Sequence, residues 1–181
     1  EFINLDSVCV LVNIATFYGL TTLRRKCLQF IETHFSQVVE SEAFLELEAG
    51  PLLEIIFGDD LVVPSEKDVF DALMTWGVGS VSSPKSQSLA DSFQESFNND
   101  EKTQRLAELK QLLSYVRYPL IDQRSLQSIL MTNEIVQTTS YLLEAVSEAF
   151  EEKMAQSTSS MGSSLPFAGG SSSSLSSSLT G

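Results

Sequence analysis

Histidine, cysteine and tryptophan are scarce in this chain of 181 residues, which contains one His, two Cys and one Trp. With His34 as the single histidine, we expect neither a zinc site of the Cys/His type nor a serine or cysteine triad with a histidine base. His34 is instead expected to face solvent or to cap a helix end. Cys9 and Cys27 each lie in an apolar helical pattern, which favours two buried small hydrophobes in a reducing compartment over a disulfide or a reactive thiol.

Basic residues are also few, since acidic residues outnumber them 24 to 11 and give a formal charge of −13. Such a surface repels phosphate backbones and anionic lipid headgroups, so we expect no nucleic-acid partner and no membrane partner. Long apolar runs are missing as well, and the stretch 8–12 follows acids instead of the basic residues of a signal peptide. We therefore expect a cytoplasmic protein, with a nuclear location as the alternative. Because the chain begins at Glu1, we also expect it to be a piece of a longer protein.

Residue patterns that support catalysis or cofactor binding are missing too. Paired carboxylates occur at Glu46/Glu48, Asp59/Asp60 and Glu151/Glu152. Side chains that are adjacent on a helix point apart, and each pair lies in a polar setting. Gly77 and Gly79 lack the strand and the spacing of a phosphate-binding loop. We thus predict no catalytic residue, no cofactor and no metal ligand, because an enzyme requires a site that this sequence does not contain.

What the sequence does contain is a series of apolar residues three and four positions apart, the spacing of amphipathic helices. The first predicted helix has a complete core stripe at Val8, Leu11, Val12 and Ala15. Gly19 closes this helix by taking a left-handed conformation that other residues resist. A second helix begins near residue 21 or 22, and the two helices form an antiparallel hairpin.

Two features of this hairpin are candidates for partner binding. Phe17 and Tyr18 lie at its corner, beside a core stripe that is already complete, so they either pack within the hairpin or contact a partner. We name both as candidate partner-binding residues. The basic cluster 24–26 is either a solvated helix face, with at least two of its side chains in solvent, or a docking patch.

Trp76 is predicted to anchor the core. The motif Ser65-Glu66-Lys67-Asp68 resembles a capping box, with Ser65 accepting a hydrogen bond from the Asp68 amide, and marks the start of a helix. That helix carries an apolar stripe that ends at Trp76 and requires a neighbouring hairpin to cover it.

The second half of the chain alternates between helical and polar segments. From 77 to 102 the composition changes to serine, glycine, proline and acids, which predicts an exposed loop. A short amphipathic helix through Leu89, Phe93 and Phe97 is the alternative. Helical spacing resumes over 106–116. Pro119 ends this predicted helix, because a proline cannot continue it. A short helix near 126–130 and a longer one over 135–150 follow.

The end of the chain is rich in serine and carries few apolar residues. Such a segment cannot bury enough surface to offset its ordering entropy. We therefore predict one helical domain over residues 1–155 and a disordered Ser/Gly-rich tail over 156–181.

An ordered series of partial matches over residues 5–150 resembles the BACK domain, the helical region that follows the BTB domain in BTB-Kelch proteins. The matching motifs are Asn13-Ile14-Ala15, Tyr18-Gly19-Leu20, Cys27-Leu28-Gln29-Phe30-Ile31, His34-Phe35, Phe44-Leu45-Glu46-Leu47, Asp60-Leu61-Val62-Val63, Ser65-Glu66, Asp68-Val69-Phe70 and Trp76. The resemblance implies that the loop over 77–102 is an insertion, because BACK domains usually have a shorter connection there, and the match resumes at Leu109 to Leu113 and at Val116-Arg117-Tyr118-Pro119-Leu120. The resemblance implies an all-α fold of stacked antiparallel helical hairpins.

The same resemblance implies a function. BACK domains space and dock other domains, and in BTB-BACK-Kelch proteins the first BACK hairpins help to form a cullin-binding groove together with the upstream BTB domain. The resemblance thus implies a non-catalytic substrate adaptor of a cullin-RING ubiquitin ligase, with residues 6–47 nearest the cullin and an unknown substrate protein. The alternative is a BTB-BACK cytoskeletal or transcriptional scaffold that has no ligase role.

Overall fold

The computed structural model describes residues 3–58, 60–79 and 91–161, and among these residues the regular structure is entirely helical. The α-helices are α1 (Val8–Phe17), α2 (Thr21–Thr33), α3 (Phe35–Val39), α4 (Ala49–Phe57), α5 (Glu66–Gly79), α6 (Asp91–Leu113), α7 (Gln123–Thr132), α8 (Glu134–Thr138) and α9 (Ser140–Met161). Two 3-10 helices, Glu42–Glu46 and Tyr118–Leu120, lie between them. The prediction of an all-α fold is confirmed.

The helices pack as neighbouring pairs. α1 lies along α2, α5 lies along α6, and α7 and α8 both pack on α9, while α4 contacts α2 and α6 and so connects the first two pairs. A single hydrophobic core runs through all of them. Its largest fully buried side chains are Trp76, Phe35, Phe44, Ile31, Leu47, Leu52, Ile55, Leu73, Leu109, Leu113, Ile121 and Leu126.

The first hairpin turns at Gly19, as predicted. Gly19 has a φ of 66°, in the left-handed region where a side chain is disfavoured. Its amide donates to the carbonyl of Thr16, and the next amide, of Leu20, donates to the carbonyl of Ala15 at 2.8 Å. This pair of bonds is the Schellman arrangement, which satisfies carbonyls that the helix itself leaves unpaired.

Trp76 anchors the core and is held from two sides. Its indole N–H donates to the carbonyl of Leu47 at 2.7 Å, which ties α5 to the end of the first 3-10 helix. The guanidinium carbon of Arg105, on α6, lies 3.9 Å from the centroid of the Trp76 ring. Arg105 also donates to the carbonyls of Leu45 and Trp76, at 2.6 Å and 3.3 Å. The buried ring, the half-buried arginine and two backbone segments therefore form one connected unit.

The start of α5 uses the capping box differently from the prediction. The Asp68 carboxylate accepts from the Ser65 amide at 3.0 Å and from the Ser65 hydroxyl at 3.1 Å. The Asp68 amide donates to the Ser65 carbonyl. The Ser65 hydroxyl thus donates a hydrogen bond instead of accepting one, because the charged Asp68 carboxylate is a strong acceptor.

The predicted loop over 77–102 is wrong where the structure describes it. α5 continues to Gly79, and α6 begins at Asp91. No glycine or proline interrupts the chain from residue 85 to residue 117, so a helix that forms over the strong helix formers of 100–113 extends backward across the weaker serines and asparagines. Residues 80–90, including Leu89, and the side chains of Phe93 and Phe97 lie outside the described set.

Two predicted boundaries near the end of the chain also differ. The helix expected over 135–150 is divided into α8 and α9 at Thr139, whose backbone is extended at φ −113° and ψ 102°. Three consecutive residues with poor helix propensity, Thr138, Thr139 and Ser140, occur there. α9 then continues to Met161, past the boundary expected after residue 155. Residues 162–181 of the expected tail lie outside the described set. Of the helices described, none is long and apolar enough to cross a membrane.

Candidate protein-interaction surface

α1 is apolar on both of its faces. Val8, Cys9, Val12 and Ala15 face the core and are fully buried. On the opposite side, Val10, Ile14 and Phe17 follow one another four and three positions apart and are 43%, 42% and 82% exposed. This spacing places them in one stripe along the helix. No residue of α1 is charged, so the exposed stripe is apolar along its whole length.

The aromatic pair at the hairpin corner extends this stripe. Tyr18 is 68% exposed, and its ring meets the Phe17 ring edge-to-face at a centroid distance of 5.0 Å. Leu20, after the turn, is exposed as well. We call Val10, Ile14, Phe17, Tyr18 and Leu20 the α1 ridge. Packing of the two aromatics inside the hairpin does not occur, because Phe17 lies on the side of α1 away from the core and Gly19 turns the chain directly after Tyr18.

The α1 ridge stands on a helix that is held firmly on both flanks. On one flank, the side-chain nitrogen of Asn13 donates to the backbone carbonyl of Glu46 at 2.7 Å, and the side-chain oxygen of Asn13 accepts from the backbone amide of Glu48. On the other flank, the Thr16 hydroxyl accepts from Arg24 at 3.0 Å. These bonds connect α1 to the first 3-10 helix and to α2, so the ridge is presented on a rigid base.

The basic cluster of α2 divides into two parts. Arg24 also donates to the Glu54 carboxylate on α4, which makes it a structural bridge between three helices. Arg25 and Lys26 are exposed. The expectation that at least two of the three side chains face solvent is confirmed.

The other residues singled out by sequence serve the fold. Cys9 and Cys27 are buried free thiols. Burial, together with the nearby Cys27, raises the pKa of Cys9 to about 11, which keeps it protonated and unreactive. His34 is half-buried where α2 ends, with its ring stacked on Phe30 at 4.4 Å and its Nδ1 3.0 Å from the Phe30 carbonyl oxygen. The described part of the chain has no cluster of three His, Cys, Asp or Glu side chains placed to hold a metal ion.

Sequence reasoning identified Phe17 and Tyr18 but missed Val10 and Ile14. The missed signal was that α1 carries a second apolar stripe opposite its core face, with only Asn13 and Thr16 as polar residues between the two stripes. A surface helix of a globular protein has one apolar face, and a second apolar face indicates a second surface to be covered.

Comparison with known proteins identifies the domain that contains this ridge. Residues 8–90 match the family model of BACK, described as BTB And C-terminal Kelch. Residues 8–90 are a BACK domain. The α1 ridge thus lies on the first helix of that BACK domain, and α1 to α5 all fall within the match.

Individual relatives agree with the BACK assignment. The chain is 36% identical over 74 residues to BTB/POZ domain-containing protein 9 from Bos taurus and from Homo sapiens. It is 35% identical over the same length to the protein of that name from Rattus norvegicus. The matched stretch is 41% of this chain and 12% of each relative. The chain therefore corresponds to a small part of these relatives, and its BACK domain belongs to a family of protein-interaction scaffolds.

Proposed function

We propose that this chain is the BACK part of a substrate adaptor for a cullin-RING ubiquitin ligase, and that residues 6–47 contribute to cullin binding. The observation that carries the proposal is the α1 ridge, an uncovered apolar surface on the first helix of a BACK domain. The name of the relatives, BTB/POZ domain-containing protein 9, supports it, because BTB domains precede BACK domains in the adaptors of this class. The role is non-catalytic, and we place the protein in the cytoplasm or the nucleus.

The ridge has the properties of a binding hot spot. Phe17 and Tyr18 are large, their rings are fixed against each other, and aromatic anchors of this kind dominate the energetics of interfaces. Covering the exposed part of Phe17 contributes about 2 kcal/mol by the area rule. Because Asn13 and Thr16 hold α1 in place, little conformational entropy is lost when a partner binds.

The ridge alone is too small for a stable complex. A specific interface buries roughly 800 Å² on each partner, which is more than five side chains on one helix supply. The cullin groove of this adaptor class also needs an upstream BTB domain. We therefore expect the full-length protein to bind and the isolated chain of 181 residues to bind only weakly.

The test is calorimetry of the full-length protein against the amino-terminal region of a cullin. We expect Phe17→Ala and Tyr18→Ala each to weaken binding by roughly tenfold, the effect of losing an aromatic anchor. Met131→Ala is the matched control, because Met131 is equally exposed but lies at the end of α7, away from the BACK match. Its affinity should equal that of the parent.

Two outcomes contradict the proposal in different ways. Equal affinities for the parent and both aromatic variants would remove the α1 ridge from the cullin interface. No cullin binding by the full-length protein would reject the adaptor role and favour the scaffold without a ligase.

A further inference from the structure

A second exposed aromatic pair lies at the end of α4. Phe57, the last residue of α4, is 72% exposed. Its ring meets the ring of Tyr115 edge-to-face at 6.1 Å, and Tyr115, just after α6, is itself 40% exposed. The pair is formed by residues from two different parts of the chain, so the fold creates it. We call Phe57 and Tyr115 the α4 patch.

Three carboxylates lie near the Phe57 end of this patch. Glu54 lies one helical turn before Phe57, and Asp60 lies three residues after it. The Glu32 carboxylate, from α2, reaches the same place, because its Oε1 is 3.3 Å from the position that a Cβ would take on Gly58. Burial, and then the negative charges of Asp60 and Glu54, raise the pKa of Glu32. The three carboxylates therefore lie close to one another at the end of α4.

Little positive charge offsets this field within the chain. Arg24 pairs with Glu54. Neither Glu32 nor Asp60 forms an ion pair within the described ranges. The surface thus combines two exposed aromatic rings with two acids, Glu32 and Asp60, that are not paired with a cation, in a chain whose formal charge is −13.

We propose that the α4 patch docks a short basic segment of a partner protein, with an apolar side chain on Phe57 and Tyr115 and flanking Arg or Lys side chains on Glu32 and Asp60. The charge complementarity selects this occupant: an acidic segment is repelled, and a purely apolar one leaves the acids without partners. Arginine suits the site best, because its planar guanidinium stacks on aromatic rings and pairs with carboxylates at the same time. The patch is smaller than a standard interface, so the binding is weak and reversible.

The proposal does not depend on cullin binding, and its test uses the chain of 181 residues directly. The ¹⁵N-labelled chain is titrated with two synthetic peptides of equal length. One has a central leucine between pairs of arginine, and the other has glutamate in place of each arginine. We expect the basic peptide to shift the amide signals of residues 57–61 and 114–116 in a saturable way that weakens with salt. The acidic peptide should leave these signals unmoved.

Variants decide whether the α4 patch is responsible. Phe57→Ser removes the exposed ring and Asp60→Asn removes one charge, and each should weaken binding of the basic peptide about fivefold or more. Met131→Ser and Glu148→Gln are the matched controls, since they remove an exposed large apolar side chain and an exposed glutamate elsewhere on the surface. Both controls should bind like the parent.

Thermal unfolding of each variant checks that it remains folded. We expect all four variants to fold, because each substituted side chain is exposed. The proposal is overturned if the basic peptide causes no saturable shifts, or if it binds no better than the acidic peptide. It is overturned equally if Phe57→Ser and Asp60→Asn bind as well as the two controls.

Discussion

Trp76→Ala is expected to destabilise this protein by about 5 kcal/mol. Deleting a large buried aromatic side chain costs about 3 to 5 kcal/mol through lost contacts and the cavity that remains. The change also leaves the Leu47 carbonyl, which accepts the indole N–H at 2.7 Å, buried without that donor, at a cost of about 1 to 3 kcal/mol. These contributions are not fully additive, so we place the total at about 5 kcal/mol, in the lower part of the summed range of about 4 to 8 kcal/mol.

Trp76→Phe separates the two contributions. Phenylalanine keeps a ring beneath the Arg105 guanidinium, which lies 3.9 Å from the Trp76 centroid, but it cannot donate to Leu47. We expect a loss of about 2 to 3 kcal/mol, mostly from the missing donor and the smaller volume.

Urea unfolding followed by far-ultraviolet circular dichroism measures both effects. With a slope of about 2 kcal/mol per molar urea, the phenylalanine variant should unfold at a midpoint about 1 M lower than the parent. The alanine variant should approach the limit of stability, because domains of this size are stable by only about 5 to 15 kcal/mol. Tyr18→Ala is the control for an exposed aromatic and should change the midpoint little.

A parental midpoint for Trp76→Ala would refute the assignment of Trp76 to the core. Loss of partner binding without loss of stability would refute it as well, because it would make Trp76 a contact residue.

Two further changes test the packing and the protonation states. Gly77→Ala should destabilise the protein by about 2 kcal/mol, because the added Cβ would lie 2.3 Å from Cδ2 of the buried Leu109. Gly50→Ala is the control and should not destabilise the protein, because nothing lies within 4 Å of the Cβ that it adds. Equal unfolding midpoints for the two variants would contradict this reasoning. Because the pKa of Cys9 is raised from 9.0 to about 11 in the folded protein, the unfolded chain loses this proton first, so stability is full below pH 9 and falls as pH rises towards 11. Calorimetric unfolding across this range should show a shallower fall for Cys9→Ala, and an identical fall would contradict the burial of that thiol.

The first hairpin and the helix of Trp76 could be predicted from the sequence because their signals are local. The three-and-four spacing of Val8, Val12 and Ala15 selects the buried face of α1, and Gly19 is the residue type that the left-handed turn requires. A capping motif marks where α5 begins. Each of these signals lies within a few residues of the structure that it specifies.

Long-range features could not be predicted in this way. In the sequence, Arg105 is one of several charged residues on a polar helix. In the structure, its guanidinium lies on the ring of Trp76 and donates to the carbonyl of Leu45, 60 residues earlier in the chain. Phe57 and Tyr115 belong to different segments, and only the contact of α4 with α6 brings them together. For residues 91–102 the amino-acid types alone were misleading, because the cooperative extension of a neighbouring helix outweighed their weak preference for loops.

The position of Arg105 has a practical consequence for where this domain ends. The family match stops at residue 90, but Leu109, Leu112 and Leu113 of α6 belong to the same core as Trp76. A fragment cut at residue 90 would lose these leucines together with the arginine, and would expose one side of α5 as an apolar surface. Exposed patches of that kind drive self-association. Such a fragment would contain the whole family match and would still tend to aggregate, whereas one that ends after α9 would keep these leucines and the arginine in place.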